Sequence, residues 1–310
     1  MDVTEVTWQI IENPNALTQH REYIKEKVLL ELQQRGLKYE LTVSNGPERG
    51  MSVAERLCKE GKRHFIIIGG DGSINEIING IYNSGVNTED VFLAIIPLGT
   101  GNDFCRTLHY PESERIVPFI LDGNFKLTDV GLVETLLNGK TSAKRYFINI
   151  AGFAFDAEVI KETVGKKPKF FPSAIYLTKL IKVLFGYKPT TVTLHNEDHT
   201  YTQKIFTIAI GNAQYNGNGM RQVPQADPHD GILDVVMIKK ISPLKVIWNV
   251  KNLFSGKHIT LPEVKTFKAK SVEIAAKNPI YGEVEGEMLE HGNYRVSVCP
   301  TQINILSGNC

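Results

Sequence analysis

Two short glycine turns that each contain a carboxylate have residue types and spacing suited to chemistry. The sequence Gly-Gly-Asp-Gly at 69–72 (the first turn) and Gly-Thr-Gly-Asn-Asp at 99–103 (the second turn) each follow an apolar run. Glycine lets a phosphate group approach backbone N–H groups closely. A carboxylate beside phosphates holds Mg²⁺ or accepts hydrogen bonds from a ribose or amides. The pair predicts a nucleotide site, while either turn alone also fits an ordinary strand-to-helix connection.

The residues after the first turn follow the pattern of a helix packed on a sheet. Four isoleucines recur at helical spacing: Ile74, Ile77, Ile78 and Ile81. Ser73 is predicted as the N-cap, and Glu76, three residues later, as its partner in a capping box. The first turn would then lie at a helix N-terminus, where free backbone N–H groups and the positive end of the helix dipole favour an anion.

The elements that position these turns predict two domains. Residues 6–130 alternate buried strands with helices, for example helices over 18–35 and 51–61, which predicts an α/β fold with a parallel, doubly wound sheet. After about residue 130 the strand-like runs predict a β-rich second domain, a β-sandwich, with helices at 173–186 and 243–255. The last apolar run, 303–308, fits either domain.

Composition and charge exclude several classes of protein. The 310 residues carry a formal net charge of +1, which gives no field to attract nucleic acid. Four cysteines without a C-x-x-C pair indicate a reducing compartment and no zinc ribbon. The acidic N-terminal segment does not resemble a secretory signal, and no run of 18 apolar residues predicts a membrane span. We therefore expect a cytoplasmic protein.

Five segments, in order along nearly the whole chain, resemble the diacylglycerol kinase catalytic family. They are GGDGSINEIINGI, PLGTGNDF, RYFINIAGFAFDAEV, GNAQYNGNGMRQVPQADPHDGILDV and VEGEML. The family includes soluble bacterial lipid kinases and is related to sphingosine and ceramide kinases. The resemblance implies a nucleotide-binding α/β domain at 1–132, completed by 301–310, and a β-sandwich lipid-substrate domain at 133–300. It also implies that ATP and lipid meet in the cleft between them.

The resemblance implies binding residues for ATP and Mg²⁺. By motif, the nucleotide would contact Asn13, Gly69, Gly70, Asp71, Gly72, Ser73, Gly99, Thr100, Gly101, Asn102 and Asp103. A Mg²⁺ site in the second domain would use Asp230, with backbone carbonyls near Asp227 and Ile232 as co-ligands. From the residues alone, the Asp-Gly pair at 230–231 is equally a signal for a hairpin turn.

The resemblance also implies a catalytic base. The family's D-G-E motif, whose Asp resembles the general base, corresponds here to Glu285-Gly286-Glu287. Glu285 would accept the proton of the acceptor hydroxyl, with Glu287 or Glu283 as alternative bases, and Asp71 would help to hold nucleotide and metal. An acidic run of this kind also fits a hairpin with a solvated face. A second departure is the segment 13–19, NPNALTQ, which lacks the Ser-Gly pair of the family's NP-x-SG.

Three functions and one surface remain open at this stage. The resemblance implies an ATP-dependent lipid kinase acting on diacylglycerol or a related lipid. The alternatives are a non-catalytic nucleotide- or lipid-binding regulator and a kinase for a soluble acceptor such as NAD. Residues 165–189 combine six lysines with apolar residues and no acid. They predict a helix lying on an anionic membrane, at the inner membrane surface, or equally one packed on the sandwich.

Overall fold

The strands and helices of the chain form two units. The structure is a computed structural model, and it describes residues 2–14, 18–44, 49–163 and 181–308. The first unit contains Met1–Val130, Pro228–Asp230 and Cys299–Cys310, and the second contains Gly131–Asp227 and Gly231–Val298. The chain thus leaves the first unit after Val130, contributes 228–230 to it while building the second unit, and returns at Cys299.

A six-stranded sheet forms the centre of the first unit. Its strands are β1 (Thr7–Glu12), β2 (Lys38–Val43), β3 (His64–Gly69), β4 (Phe92–Pro97), β5 (Phe125–Thr128) and β17 (Ile303–Leu306). The order is β2-β1-β3-β4-β17-β5, and all neighbours are parallel except β5, which is antiparallel to β17. The side chains of 65–68 in β3 are fully buried, as expected for a parallel strand covered on both faces.

Five helices accompany this sheet: α1 (Gln19–Gln34), α2 (Gly50–Lys59), α3 (Asp71–Asn83), α4 (Asp103–Thr107) and α5 (Ile116–Asp122). The helices predicted over 18–35 and 51–61 are confirmed to within two residues at each end. The alternation of strands and helices confirms the predicted α/β class with a parallel sheet.

The predicted capping box at the start of α3 is wrong. The N-cap is Gly70, in an extended conformation and without a side-chain cap, so the helix begins inside the first turn. Ser73 is already in the first helical turn, and its hydroxyl accepts a hydrogen bond from Asn13 Nδ2 at 3.1 Å. The Glu76 carboxylate accepts from the backbone N–H of Gly50 at 3.2 Å. The side chains of Ser73 and Glu76 are therefore hydrogen-bonded to residues distant in sequence instead of capping α3.

Antiparallel strands form the second unit, which confirms the predicted β-rich, sandwich-like class. They are β6 (Gly131–Leu137), β7 (Lys140–Phe147), β8 (Ile150–Ala154), β9 (Thr190–His195), β10 (Thr200–Gly211), β11 (Leu233–Lys239), β12 (Val264–Ala269), β13 (Ser271–Ala276), β14 (Gly282–Val284), β15 (Glu287–Met288) and β16 (Asn293–Val298). The main path runs β15-β14-β8-β10-β9-β13-β16-β6-β7, with β11 also paired to β10 and β12 paired to β11. A large apolar cluster fills the space between these strands, and a smaller one lies against β8, β10 and β11.

The helices of the second unit are α6 (Phe155–Thr163) and α7 (Pro243–Ser255) among the described residues. The prediction of a helix at 243–255 is confirmed, whereas α6 was missed because it continues a strand-like apolar run. Of the predicted helix at 173–186, residues 181–186 are helical and the remainder lies outside the described residues. Within the described ranges, no helix is long and apolar enough to cross a membrane.

Candidate functional site

The two glycine turns of the first unit are in direct contact. Strands β3 and β4 pair in parallel with Gly69 opposite Pro97, so both turns leave the same edge of the sheet. A Cβ atom on Gly99 would lie 2.3 Å from the Cα of Gly70, and one on Gly70 would lie 2.7 Å from the Cα of Gly99. Only glycine fits at both positions. The sequence prediction that the two turns act together is thus supported by their contact.

Asp71 explains why an acid lies inside the first turn. Its Oδ1 accepts a hydrogen bond from the backbone N–H of Phe104 at 2.9 Å, and its Oδ2 accepts one from that of Asp103 at 3.1 Å. These two N–H groups begin α4, which has no cap from its own N-cap side chain. The carboxylate at the start of α3 therefore caps the next helix and ties the second turn to the first.

Asn102 fixes the shape of the second turn. It has a left-handed backbone conformation with φ of 52°, which asparagine tolerates better than most residues. Its Oδ1 accepts from the backbone N–H of Gly99 at 3.0 Å, and its Nδ2 donates to the carbonyls of Pro97 at 3.2 Å and Gly99 at 3.3 Å. The N–H of Gly99 is thus engaged within the turn. Asn102 therefore holds the second turn in its shape.

The remaining groups of the two turns suit an anion. Gly72 is exposed, and a Cβ added there would meet open space, so the first turn of α3 can be approached from solvent. Arg21 Nη2 lies 3.5 Å from Thr100 Oγ1, so a positive charge lies beside the second turn. Gly101 is the next residue of that turn. Asp103 is buried and pairs with Arg106 Nη1 at 2.7 Å. Phosphate groups fit this arrangement of glycine backbone, uncapped helix N-terminus and guanidinium.

Glu285 occupies a strained position in the second unit. Glu285 and Gly286 form the two-residue connection between β14 and β15, with φ values of 52° and 78°, as a type I′ hairpin turn requires. A glutamate in the left-handed region is uncommon, and such residues cluster at functional sites. Glu285, which the sequence predicted as the base, is therefore also a residue of the hairpin turn that the acidic run predicted as an alternative.

Three hydrogen bonds orient the Glu285 carboxylate. Oε1 accepts from the backbone N–H groups of Ile148 at 3.1 Å and Asn149 at 2.7 Å, and Oε2 accepts from Asn149 Nδ2 at 3.0 Å. These bonds reach across to the connection between β7 and β8. The extra methylene of glutamate lets the carboxylate reach this connection from the turn.

Two further acids are buried near this turn. Burial, together with the smaller effect of the Asp156 and Glu285 charges, raises the pKa of Glu283 to about 8, although the hydrogen bond from Gly286 opposes this. Burial likewise raises the pKa of Asp156 to about 6, although hydrogen bonds from Thr207 and Gln222 oppose this. Glu283 Oε2 accepts from the backbone N–H of Gly286 at 2.8 Å. Glu283 is thus protonated at neutral pH, which disfavours it as the base.

Two other acids lie in the second unit: Glu287, which was predicted as an alternative base, and Asp156, which was not predicted as a site residue. Glu287 is exposed on β15 and forms an ion pair with Arg145, away from the three bonds that hold Glu285. Asp156 was not predicted as a site residue, although an acid directly after the apolar run 150–155 is a signal that the sequence contains. Its Oδ2 accepts from Gln222 Nε2 at 2.6 Å. Asp156 and Gln222 line a mainly apolar cavity of about 100 Å³, together with Phe155, Phe206, Val246 and Leu253.

The predicted metal ligands are distributed over both units. The prediction placed Asp230 in the second domain, but 228–230 belongs to the first unit because Asp129 N donates to Pro228 O at 2.7 Å and the His229 ring contacts Leu127 O at 2.9 Å. Asp227 and Ile232 belong to the second unit. Within the described ranges, no group of three or more His, Cys, Asp or Glu side chains could hold a metal ion. The predicted site differs from such a group because it uses one carboxylate, that of Asp230, and backbone carbonyls. Oxygen atoms of both kinds are suitable ligands for Mg²⁺.

Comparison with known proteins places the chain in a family. Residues 7–133 match the diacylglycerol kinase catalytic domain, and residues 150–307 match the YegS C-terminal NAD kinase beta sandwich-like domain. The chain is therefore a two-domain protein of the class that joins these domains. It belongs to the diacylglycerol kinase catalytic family with a YegS-type C-terminal domain.

Individual relatives span nearly the whole chain. The Bacillus subtilis protein YtlR is 26% identical over 96% of this chain and 98% of its own length. A diacylglycerol kinase of Staphylococcus carnosus is 27% identical over 90% of this chain and 88% of its own. The crystal structure of a diacylglycerol kinase from Bacillus anthracis shares the fold, with a TM-score of 0.72, 18% identity and 97% coverage of both chains.

Proposed function

We propose that this protein is an ATP-dependent kinase that transfers the γ-phosphate of ATP to a hydroxyl group of a lipid, diacylglycerol or a related lipid. The contact between the two glycine turns carries the proposal. It brings the glycine backbone of both turns together at the carboxyl ends of two parallel strands, where such sheets bind ligands. The names of the relatives, which include diacylglycerol kinases, support a lipid acceptor.

In this proposal the first unit binds the nucleotide. The backbone of Gly70, Gly72 and Gly101 and the start of α3 receive the phosphates, and Arg21 and Thr100 bind them from the side of the second turn. Asn13 and Ser73 hold the end of β1 against α3 through their mutual hydrogen bond. Asp71 is a positioning residue because its carboxylate holds the second turn in place.

Glu285 is the proposed general base. It accepts the hydroxyl proton as the acceptor oxygen bonds to the γ-phosphorus and the bond from that phosphorus to the β,γ-bridging oxygen breaks, so that ADP leaves. Mg²⁺, when bound, neutralises charge that develops on the phosphates. Asp230 and the carbonyls of Asp227 and Ile232 are the proposed residues that hold it, and their oxygens fit in type.

A lipid-panel assay tests the proposal. Radiolabelled ATP is supplied with Mg²⁺ and diacylglycerol, monoacylglycerol, sphingosine, ceramide or phosphatidylglycerol, and labelled lipid is measured. We expect the Glu285→Ala protein to form no labelled lipid. The Glu287→Ala protein, altered two residues away at an exposed acid, should retain activity; the reverse result would transfer the role of base to Glu287. No labelled lipid from the unmodified protein would refute lipid-kinase activity.

A regulator on the same fold is the second candidate, because three protein donors already engage the Glu285 carboxylate. Calorimetry with ATP separates the two candidates. The regulator would be favoured if calorimetry detects ATP binding while no lipid is phosphorylated and NAD is not phosphorylated in the absence of detergent. Product from NAD without lipid would favour the soluble-acceptor kinase.

A further inference from the structure

Helix α7 in the second unit exposes several large apolar side chains to solvent. Trp248 is 86% exposed, Leu244 is 64% exposed and Phe254 is 53% exposed. Leu244 and Trp248 lie one helical turn apart, and Phe254 and the exposed residues Ile247 and Val250 lie on the adjoining part of the helix surface. Monomeric proteins rarely expose apolar patches of this kind unless the patch binds something.

The opposite side of α7 is also apolar. Val246 packs against the cluster of Phe155, Leu184 and Phe206, and Val246 and Leu253 line the cavity in the second unit. The helix is well formed, with Ser242 as N-cap and Gly256 in the left-handed conformation after its end. A helix that is apolar around most of its circumference is usually buried on all sides. Its exposed face therefore requires an apolar environment outside the second unit.

A neighbouring helical segment extends the same surface. Leu184, in 181–186, packs into the cluster that Val246 also contacts, so this segment lies beside α7. Phe185 is 57% exposed, and Ile181 and Lys182 are also exposed.

The charges that helix α7 itself carries are of one sign. Helix α7 contains Lys245 and Lys251 and no acid, and the exposed residues Lys182 and Lys257 lie on its flanking segments. Of these, Lys245 pairs with Glu263 at 2.6 Å. Apolar side chains interspersed with lysines are the composition of helices that lie in the surface of anionic bilayers.

We propose that α7 docks onto an anionic lipid bilayer, with Leu244, Trp248 and Phe254 entering its apolar layer and Lys251 and Lys257 facing the head groups. A second copy of this chain fits less well, because a two-fold contact would bring the lysines of both copies into one interface, and α7 has no acid to pair with them. The proposal goes beyond lipid-kinase activity and does not depend on it.

Tryptophan fluorescence tests this directly, because the chain has two tryptophans and only Trp248 is exposed. Vesicles of phosphatidylcholine alone and of an equal mixture with phosphatidylglycerol are added to the full chain. With the mixed vesicles we expect a blue shift of emission, quenching by brominated lipid, and weakening by salt. The Trp248→Phe protein, which keeps the buried Trp8, should show none of these changes.

A second variant tests the surface without removing the reporter. Leu244→Ser combined with Phe254→Ser should weaken vesicle binding by about tenfold or more, since both side chains lose apolar burial in the bilayer. Leu30→Ser, at a residue 57% exposed on α1 of the first unit, should leave binding unchanged. Equal loss in both variants would refute a role for this face.

Other occupants give distinct results. If emission of Trp248 is already blue-shifted and shielded from acrylamide without lipid, another protein surface covers the face and the proposal is wrong; sedimentation velocity then shows whether that surface is a second copy. Binding that ignores phosphatidylglycerol also refutes it. Kinase activity is assayed separately on a water-soluble short-chain diacylglycerol. Absence of that activity refutes the proposed function and leaves the vesicle result standing.

Discussion

Replacement of Asp71 by alanine should uncouple the two glycine turns of the first unit. The carboxylate accepts backbone hydrogen bonds from Asp103 at 3.1 Å and Phe104 at 2.9 Å, and alanine accepts none. A hydrogen bond to a charged group contributes ~1.5–3 kcal/mol when buried. Because Asp71 is partly exposed, water replaces part of this, and we expect the free energy of unfolding of the first unit to fall by ~2–4 kcal/mol. The free energy of unfolding of Asp71→Asn should lie between those of the parent and of Asp71→Ala, since asparagine keeps one acceptor oxygen.

Urea unfolding followed by Trp8 fluorescence measures this change. Trp8 is fully buried in β1, where its indole N–H donates to Val3 O at 2.9 Å, so its emission reports on the first unit. The experiment uses the Trp248→Phe background to remove the second signal. Asp90→Ala is the matched control, because that carboxylate is exposed and accepts a bond from Asn87. Its effect should stay within ~0.5 kcal/mol.

One outcome would refute this account of Asp71. If Asp71→Ala unfolds at the same urea concentration as the parent but loses only Mg²⁺-dependent ATP binding, the carboxylate serves the ligand and does not hold the turns. Loss of stability measured without nucleotide or metal supports the positioning role.

Three other substitutions test the remaining parts of the two sites. Gly99→Ala should weaken ATP binding in calorimetry by ~tenfold or more, because its Cβ would lie 2.3 Å from the Cα of Gly70 and overpacking costs ~1–3 kcal/mol; Gly186→Ala, which meets open space, should not. Glu283→Gln should flatten the pH dependence of the free energy of unfolding, measured by urea titrations followed by circular dichroism. The pKa of Glu283 in the folded protein is raised from 4.5 to about 8. The parent protein should therefore lose ~1.4 kcal/mol of stability per pH unit as the pH rises between these two values. Glu285→Asp should lower labelled-lipid formation by ~10²-fold despite matching the family motif, because the shorter side chain withdraws from the connection between β7 and β8; unchanged turnover would refute the importance of that reach.

The hydrophobic pattern predicted the architecture because burial of whole strands and helix faces is a local property of sequence. The run 65–68 is apolar at every position, and the isoleucines after it recur at helical spacing, so β3 and α3 could be read directly. Helix α6 could not, because a nine-residue helix after a buried strand continues the same apolar texture.

Long-range partners account for the predictions that failed. The pattern Ser-x-x-Glu at 73–76 satisfies the sequence rule for a capping box, but Asn13 and the N–H of Gly50 engage these side chains instead. The partners of Asp71 are more than thirty residues away, so its capping of α4 is visible only in the structure. Burial of Glu283 beside Asp156 likewise depends on which strands become neighbours.

The position of β17 between β4 and β5 has a consequence for biosynthesis. The sheet of the first unit lacks an inner strand until residue 306 has left the ribosome, after all of the second unit has been made. At ~5–20 residues per second, roughly ten to thirty-five seconds separate the synthesis of β5 from that of β17. During this time the apolar strand β4 presents an open edge, which is a template for pairing with another chain. The nascent first unit therefore presents a strand edge for aggregation that β17 covers in the finished sheet.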